Sequence, residues 1–101
     1  MNLFERINKD RMNAKKKGQV WISDILTSLI IEIERSGGKK QSGDDFVISV
    51  IERYVDRLDD MVEDLPFAPD NQMTAEEKYR YRDLIAERDV VVAYLPEQTK
   101  N

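Results

Sequence analysis

Hydrophobic and polar residues recur with a period close to 3.6 over most of this chain, which predicts an all-α protein. Four amphipathic segments stand out. The first covers residues 2–17, the second 20–36, the third begins at residue 42 or 44 and reaches 64, and the fourth opens at 74. With 101 residues, the chain has room for one domain around one core. The pattern therefore predicts a single-domain bundle of about four helices.

The second segment has the clearest apolar face. Its aliphatic residues fall at helical spacing on one side: Ile22, Ile25, Leu26, Leu29, Ile30 and Ile33. Trp21 and Ile31 are expected to widen this face, which makes the segment the most buried element. Its isoleucines favour strands by propensity, but they do not alternate with polar residues as a strand would require.

Local signals fix where the helices begin and end. Asn2 is a good N-cap for the first helix, and Thr74 with Glu77 forms a capping box for the fourth. Gly18 is expected to end the first helix, and the pair at 37–38 to end the second. Pro66 and Pro69 end the third helix, so that residues 66–73 form a loop.

The third and fourth segments carry weaker stripes. In the third, Val47, Ile51, Tyr54, Leu58, Met61 and Leu65 share a face that Phe46 and Val50 broaden. In the fourth, Tyr81, Leu84, Ile85, Val91, Val92 and Leu95 share a face that Arg88 interrupts, and a short strand over 90–92 is the alternative to helix. The predicted core comprises Ile25, Leu29, Ile33, Val50, Tyr54, Leu58, Leu84, Val91 and Leu95.

Charge is distributed unevenly along the chain, although the net charge is only −4. Residues 1–40 contain nine Lys or Arg and five Asp or Glu. Residues 41–77 contain two basic and eleven acidic residues, and residues 78–101 contain five basic and four acidic residues. The chain therefore has a basic first part and an acidic middle, and each is a candidate interaction surface.

The acidic middle supplies a row on the third helix. It consists of Glu52, Asp56, Asp59, Asp60 and Glu63. Three interpretations are open: a site for a hard cation, a mimic of nucleic-acid phosphates that docks on a basic partner, or an ordinary solvated face. A straight helix supplies too few oxygens from one side for calcium, so the solvated face is the simplest interpretation.

The basic first part contains a cluster at the end of the first helix. Arg11, Lys15, Lys16 and Lys17 make up this cluster, and Lys39 with Lys40 joins it if the second loop folds back. Such clusters contact phosphates, but lysines also commonly decorate the last turn of a helix because they complement its dipole. Any contact with RNA is expected to be weak and sensitive to salt.

Residues that carry most catalytic and metal chemistry are missing. The chain has no cysteine and no histidine, so disulfides and the usual zinc sites are excluded. Serine and threonine have no base pattern beside them, and the acids lie on outer faces. We expect no enzyme activity and no cofactor. A leader sequence is not apparent and the longest apolar run is too short to cross a bilayer, which predicts a soluble cytoplasmic protein with no membrane partner.

Short motifs along the chain are similar to those of a known family. Leu-Phe-Glu-Arg-Ile-Asn-Lys-Asp at 3–10, the basic run at 15–17, the helix at 46–61 and Tyr-Leu-Pro-Glu-Gln at 94–98 resemble the N-terminal helical domain of YqeY-like proteins. The resemblance spans residues 1–97 and leaves a predicted disordered tail at 98–101. Those proteins are relatives of the tail domain of the amidotransferase subunit that acts on misacylated tRNA.

The resemblance implies a non-enzymatic accessory or adaptor protein linked to tRNA-dependent amidation, with a protein partner and weak contact to tRNA. The alternative from the residues themselves is an acidic protein-binding module or inhibitor, which uses the row on the third helix against a basic surface.

Overall fold

The computed structural model describes residues 1–65 and 73–96, and these residues form four helices. They are α1 (Leu3–Lys16), α2 (Val20–Arg35), α3 (Asp44–Glu63) and α4 (Ala75–Val92). The all-α prediction is confirmed, and residues 90–92 belong to a helix rather than a strand. The predicted tail at 98–101 and most of the predicted loop at 66–73 lie outside the described residues.

The chain arranges these helices as two pairs, α1 with α2 and α3 with α4, and α2 contacts all three other helices. Side chains from all four helices meet in one hydrophobic cluster. Its members are Leu3, Phe4, Ile7, Ile25, Leu26, Leu29, Ile33, Val47, Val50, Ile51, Val55 and Val91. Leu29, Ile33 and Val50 are fully buried there, which places the centre of the core against α2 as predicted.

The predicted core is correct in most positions. Ile25, Leu29, Ile33, Val50 and Val91 belong to the cluster, and Tyr54 and Leu95 pack against it as partly buried residues. Leu58 and Leu84 are buried but lie outside this cluster. Four residues of α1 are also buried, and Ile7 is fully enclosed; the four are Leu3, Phe4, Ile7 and Ala14.

Several apolar residues that the pattern assigned to buried faces are instead exposed. Trp21 is 48% exposed, Ile31 43% and Met61 45%, and Phe46 and Tyr81 are exposed as well. On a helix with 100° between residues, Ile31 points almost directly away from Leu29 and Ile33. The other helices pack on one side of α2, so that the widened face predicted for α2 is wrong at Trp21 and Ile31.

Glycines end the first two helices through the same hydrogen-bond arrangement. After α2, Gly37 has a φ of +96° and donates to the Glu34 carbonyl, while Gly38 donates to the Ile33 carbonyl. After α1, Gly18 has a φ of +75°, a region that residues with a side chain rarely adopt. The predicted stops at 18 and 37–38 are therefore confirmed.

Side-chain caps begin two of the helices as the sequence predicts. Asn2 Oδ1 accepts from the Glu5 amide at 2.8 Å, and Thr74 and Glu77 form the reciprocal capping box. A third contact joins distant segments, because Asp44 Oδ1 accepts from the Leu3 amide at 2.9 Å. The start of α3 thus caps the start of α1.

Candidate functional site

The acidic row on α3 divides between two surroundings. Glu52, Asp56, Asp60 and Glu63 are exposed, while Asp59 is partly buried and accepts a hydrogen bond from Arg88 Nε at 2.6 Å. Arg88 is the residue that interrupts the apolar face of α4. The sequence contained a signal for this pair, because an arginine that interrupts the apolar face of one helix favours pairing with a neighbouring helix rich in acidic residues.

A groove between α3 and α4 combines part of this row with apolar residues. Its volume is about 390 Å³, and Glu52, Asp56 and Asp59 line it together with Arg88, Val55, Val92 and Leu95. Three carboxylates and one guanidinium give the groove a formal charge of −2. Asp60 and Glu63 do not line it. The structure therefore turns three of the five predicted residues into the wall of a groove with an apolar floor.

Neutralising the exposed acids should leave the fold intact. We expect Glu52→Gln, Asp56→Asn and Glu63→Gln together to leave the free energy of unfolding unchanged or raise it slightly, because repulsion along the row falls. Asp59→Asn is expected to cost up to about 1 kcal/mol, since its partly exposed pair with Arg88 is lost. Urea unfolding of the triple and single variants measures both. A large loss in the triple variant would contradict a solvated row.

The predicted basic residues lie at two separate places, one toward the C-terminal end of α1 and one in the loop after α2. Lys15, Lys16 and Lys17 are exposed at its C-terminal end and form no ion pair within residues 1–65 and 73–96. Arg11 binds Asn8 Oδ1 through Nε at 3.1 Å and Nη2 at 2.8 Å. The carbonyl of Lys40 accepts from Asn2 Nδ2 at 2.7 Å, which holds the second loop at the other end of the helix.

That arrangement corrects the predicted single patch. The loop with Lys39 and Lys40 does fold back, but onto the start of α1, where Lys40 lines a groove with Lys9 and Met12. The fourteen residues of α1 place the backbone of Lys40 roughly 20 Å from the cluster at Lys15–Lys17. Both basic regions are available to a ligand, but one small ligand cannot contact both.

Two tyrosines join elements in a way that the sequence did not indicate. The Tyr54 hydroxyl donates to Glu87 Oε2 at 2.6 Å, and the Tyr94 hydroxyl donates to Asp10 Oδ2 at 2.6 Å. An arginine lies over each ring, Arg57 over Tyr54 and Arg6 over Tyr94. Tyr94 lies just after the last residue of α4. Its contacts tie the residues after α4 to α1.

These two tyrosines make the free energy of unfolding depend on pH in the alkaline range. Burial and then the bond to a carboxylate raise the pKa of Tyr54 and of Tyr94 far above the usual 10.0. Because the folded-state pKa is the higher one, the stabilisation is complete below pH 10 and is lost as the pH rises further. We expect the free energy of unfolding to fall between about pH 10 and 12, and Tyr54→Phe with Tyr94→Phe to flatten that fall. Tyr79→Phe, at an exposed ring, is the control. An equally steep fall in the double variant would contradict this assignment.

Neither a metal cluster nor a membrane-spanning helix is found in the described segments. No three acidic residues within 1–65 and 73–96 are grouped so that they can hold a metal ion. None of the four described helices combines the length and the apolar character needed to cross a bilayer.

The chain was compared with families, characterised proteins and solved structures. No family model matches it, and neither does any curated protein or any solved structure. The resemblance to YqeY-like proteins therefore stays a prediction from the short motifs at 3–10 and 94–98.

Proposed function

We propose that this domain is a non-enzymatic adaptor or accessory module whose α3/α4 groove binds a basic, amphipathic segment of a partner protein. One observation supports this proposal above all: the acidic row borders an apolar floor. Val55, Val92 and Leu95 form that floor, between Glu52 and Asp56 on one side and Arg88 on the other.

The combination matters because charge and apolar area contribute differently to binding. Exposed carboxylates steer a basic partner and determine its orientation, but contribute little affinity once salt is present. Burial of apolar side chains on the floor supplies affinity that salt does not weaken. The Asp59–Arg88 pair holds one wall in place, since it bonds α3 to α4 beside the groove.

A helical peptide tests the groove directly. The probe is a fluorescein-labelled peptide with lysines on one face and leucines on the other, and its control has the same composition in scrambled order. We expect the ordered peptide to bind more tightly and to shift the amide resonances of Val55, Asp56 and Val92. Asp56→Lys should weaken that binding at least tenfold at low salt, because it reverses a charge on the groove wall.

Glu63→Lys is the matched control for Asp56→Lys. It makes the same change in net charge on the same helix, but Glu63 is exposed and does not line the groove. We expect at most a small loss of affinity in this variant. Equal losses in the two variants, or equal binding of the two peptides, would mean that net charge alone attracts the probe and that the groove is not the site.

A second candidate function is contact with tRNA, which links the domain to tRNA-dependent amidation through its family resemblance. The observation that favours it is the exposure of Lys15, Lys16 and Lys17 at one end of the molecule, without ion pairs to described residues. Phosphate contacts there would release counterions, so the affinity should be weak and should fall steeply with salt.

Anisotropy of labelled tRNA at low and physiological salt measures this contact. Reversal of the three lysines to glutamate should abolish binding, whereas Lys39→Glu with Lys40→Glu, at the other end of α1, should leave most of it. Tight binding that is insensitive to salt and to the triple reversal would place the RNA surface elsewhere.

A further inference from the structure

The outward side of α2 carries a row of exposed side chains. Trp21, Asp24, Ser28, Ile31 and Arg35 follow one another at alternating intervals of three and four residues, and all five are exposed. Intervals of three and four place residues on one straight seam, the spacing by which two helices pack side by side.

Apolar area surrounds the middle of this row. Ser28, Ile31 and Arg35 line a groove of about 340 Å³ with Met61 of α3. Trp21, Ile31 and Met61 each expose more than two fifths of their surface, and Ile31 and Met61 border the same groove. Large exposed apolar side chains that lie together mark an interaction site.

Two opposite charges flank Ser28 and Ile31 in the row. Asp24 lies toward its start and Arg35 at its end, and neither side chain forms an ion pair or hydrogen bond with any residue in 1–65 or 73–96. Glu32 and Arg57, which border the same groove, already pair with each other at 3.1 Å.

The row is complementary to itself when a second copy runs in the opposite direction. A two-fold axis midway between positions 29 and 30 places Asp24 opposite Arg35 of the second copy and Ser28 opposite its Ile31. The small serine leaves room for the isoleucine, and the Asp24–Arg35 ion pair forms twice because the contact is symmetric. A parallel arrangement would instead oppose like charges, Asp24 to Asp24 and Arg35 to Arg35.

We infer that the outward face of α2 is an interface for a second copy of this chain, joined antiparallel through Ile31, Ser28 and the Asp24–Arg35 pairs. A seam of one helix is short for a stable dimer, whose interface buries about 800 Å² on each partner. The dimer is therefore weak and depends on concentration. It leaves the α3/α4 groove open, because α3, α4 and Leu95 line that groove and no residue of the row does.

Sedimentation velocity at protein concentrations from about 10 µM to about 1 mM tests the dimer, because a dimer with an interface of this size dissociates in that range. We expect the sedimentation coefficient to rise across this range. Ile31→Lys should raise the dimer dissociation constant at least tenfold, whereas Tyr79→Lys introduces a lysine at an exposed aromatic residue of α4 and should not. Circular dichroism verifies that both variants stay folded.

A charge swap tests the register. Asp24→Arg alone and Arg35→Asp alone each oppose like charges and should weaken the dimer, while the two changes together restore opposite charges and should restore it. A spin label on Val20→Cys, unique because the chain lacks cysteine, tests the direction. The antiparallel register separates the two labels by roughly 30 Å along the helix axis, whereas a parallel one brings them side by side.

A monomer at every concentration would overturn the inference, and so would equal effects of the Ile31 and Tyr79 variants. The double charge variant failing to restore the dimer, or two labels side by side, would overturn the antiparallel register. Peptide binding in the α3/α4 groove does not bear on any of these results.

Discussion

Replacement of Leu29 by alanine is expected to lower the free energy of unfolding by about 2–5 kcal/mol. Leu29 is fully buried in the cluster to which all four helices contribute. The substitution removes the transfer free energy of the lost methyl groups and leaves a cavity that the surrounding helices fill only in part. Because the centre of the core is the most enclosed part of the domain, the loss should lie in the upper half of this range.

Urea unfolding followed by circular dichroism measures this loss. Val20→Ala is the control, since Val20 lies at the first position of the same helix and is 64% exposed. We expect it to change the free energy of unfolding by less than about 0.5 kcal/mol. A loss below about 1 kcal/mol in Leu29→Ala would mean that α2 does not occupy the centre of the core.

Gly38→Ala should destabilise the fold clearly, although it adds only one methyl group. A Cβ atom at Gly38 would lie 2.6 Å from Ile33 Cγ2, 2.8 Å from the Ile33 carbonyl oxygen and 2.9 Å from Phe46 Cε1. The carbonyl cannot move away freely, because it accepts the hydrogen bond from the Gly38 amide that ends α2. We expect a loss of about 1–3 kcal/mol, the usual cost of forcing atoms into filled space.

Gly43→Ala is the matched control, since a Cβ atom there meets nothing within 4 Å. Because glycine is preferred to alanine at an N-cap, we expect Gly43→Ala to cost about 0.5–1 kcal/mol, less than Gly38→Ala. Each variant adds one methyl group to the same loop. The difference between their melting temperatures therefore reports the effect of close packing at Gly38. Equal melting temperatures would show that the approach of α3 to the end of α2 is not tight.

The positions of the helices followed from the sequence because their signals are local. The N-cap at Asn2, the capping box at Thr74 and the glycine at 18 each act on backbone groups within about five residues. The 3.6-residue period of Ile25, Leu29 and Ile33 likewise needs no distant partner to be seen. The buried side of α2 could therefore be predicted before any packing was known.

The composition of the candidate groove depended on tertiary structure. The row from Glu52 to Glu63 is visible in the sequence, but which of its members line a groove depends on where α4 packs. The bond from Arg88 to Asp59 joins residues 29 positions apart, and that from Tyr94 to Asp10 joins residues 84 apart. A pattern among neighbouring residues cannot indicate contacts between residues so far apart in the sequence.

By itself the sequence determined the four helices found among the described residues and the side of α2 that is buried. Tertiary structure alone decided that Trp21 and Ile31 face solvent, and that Lys40 lies at the opposite end of α1 from Lys15–Lys17. The physical reason is that a helix forms through hydrogen bonds between near neighbours, which the sequence states directly. Burial depends instead on which sides of that helix other elements cover, and that follows only from the packing of the whole chain.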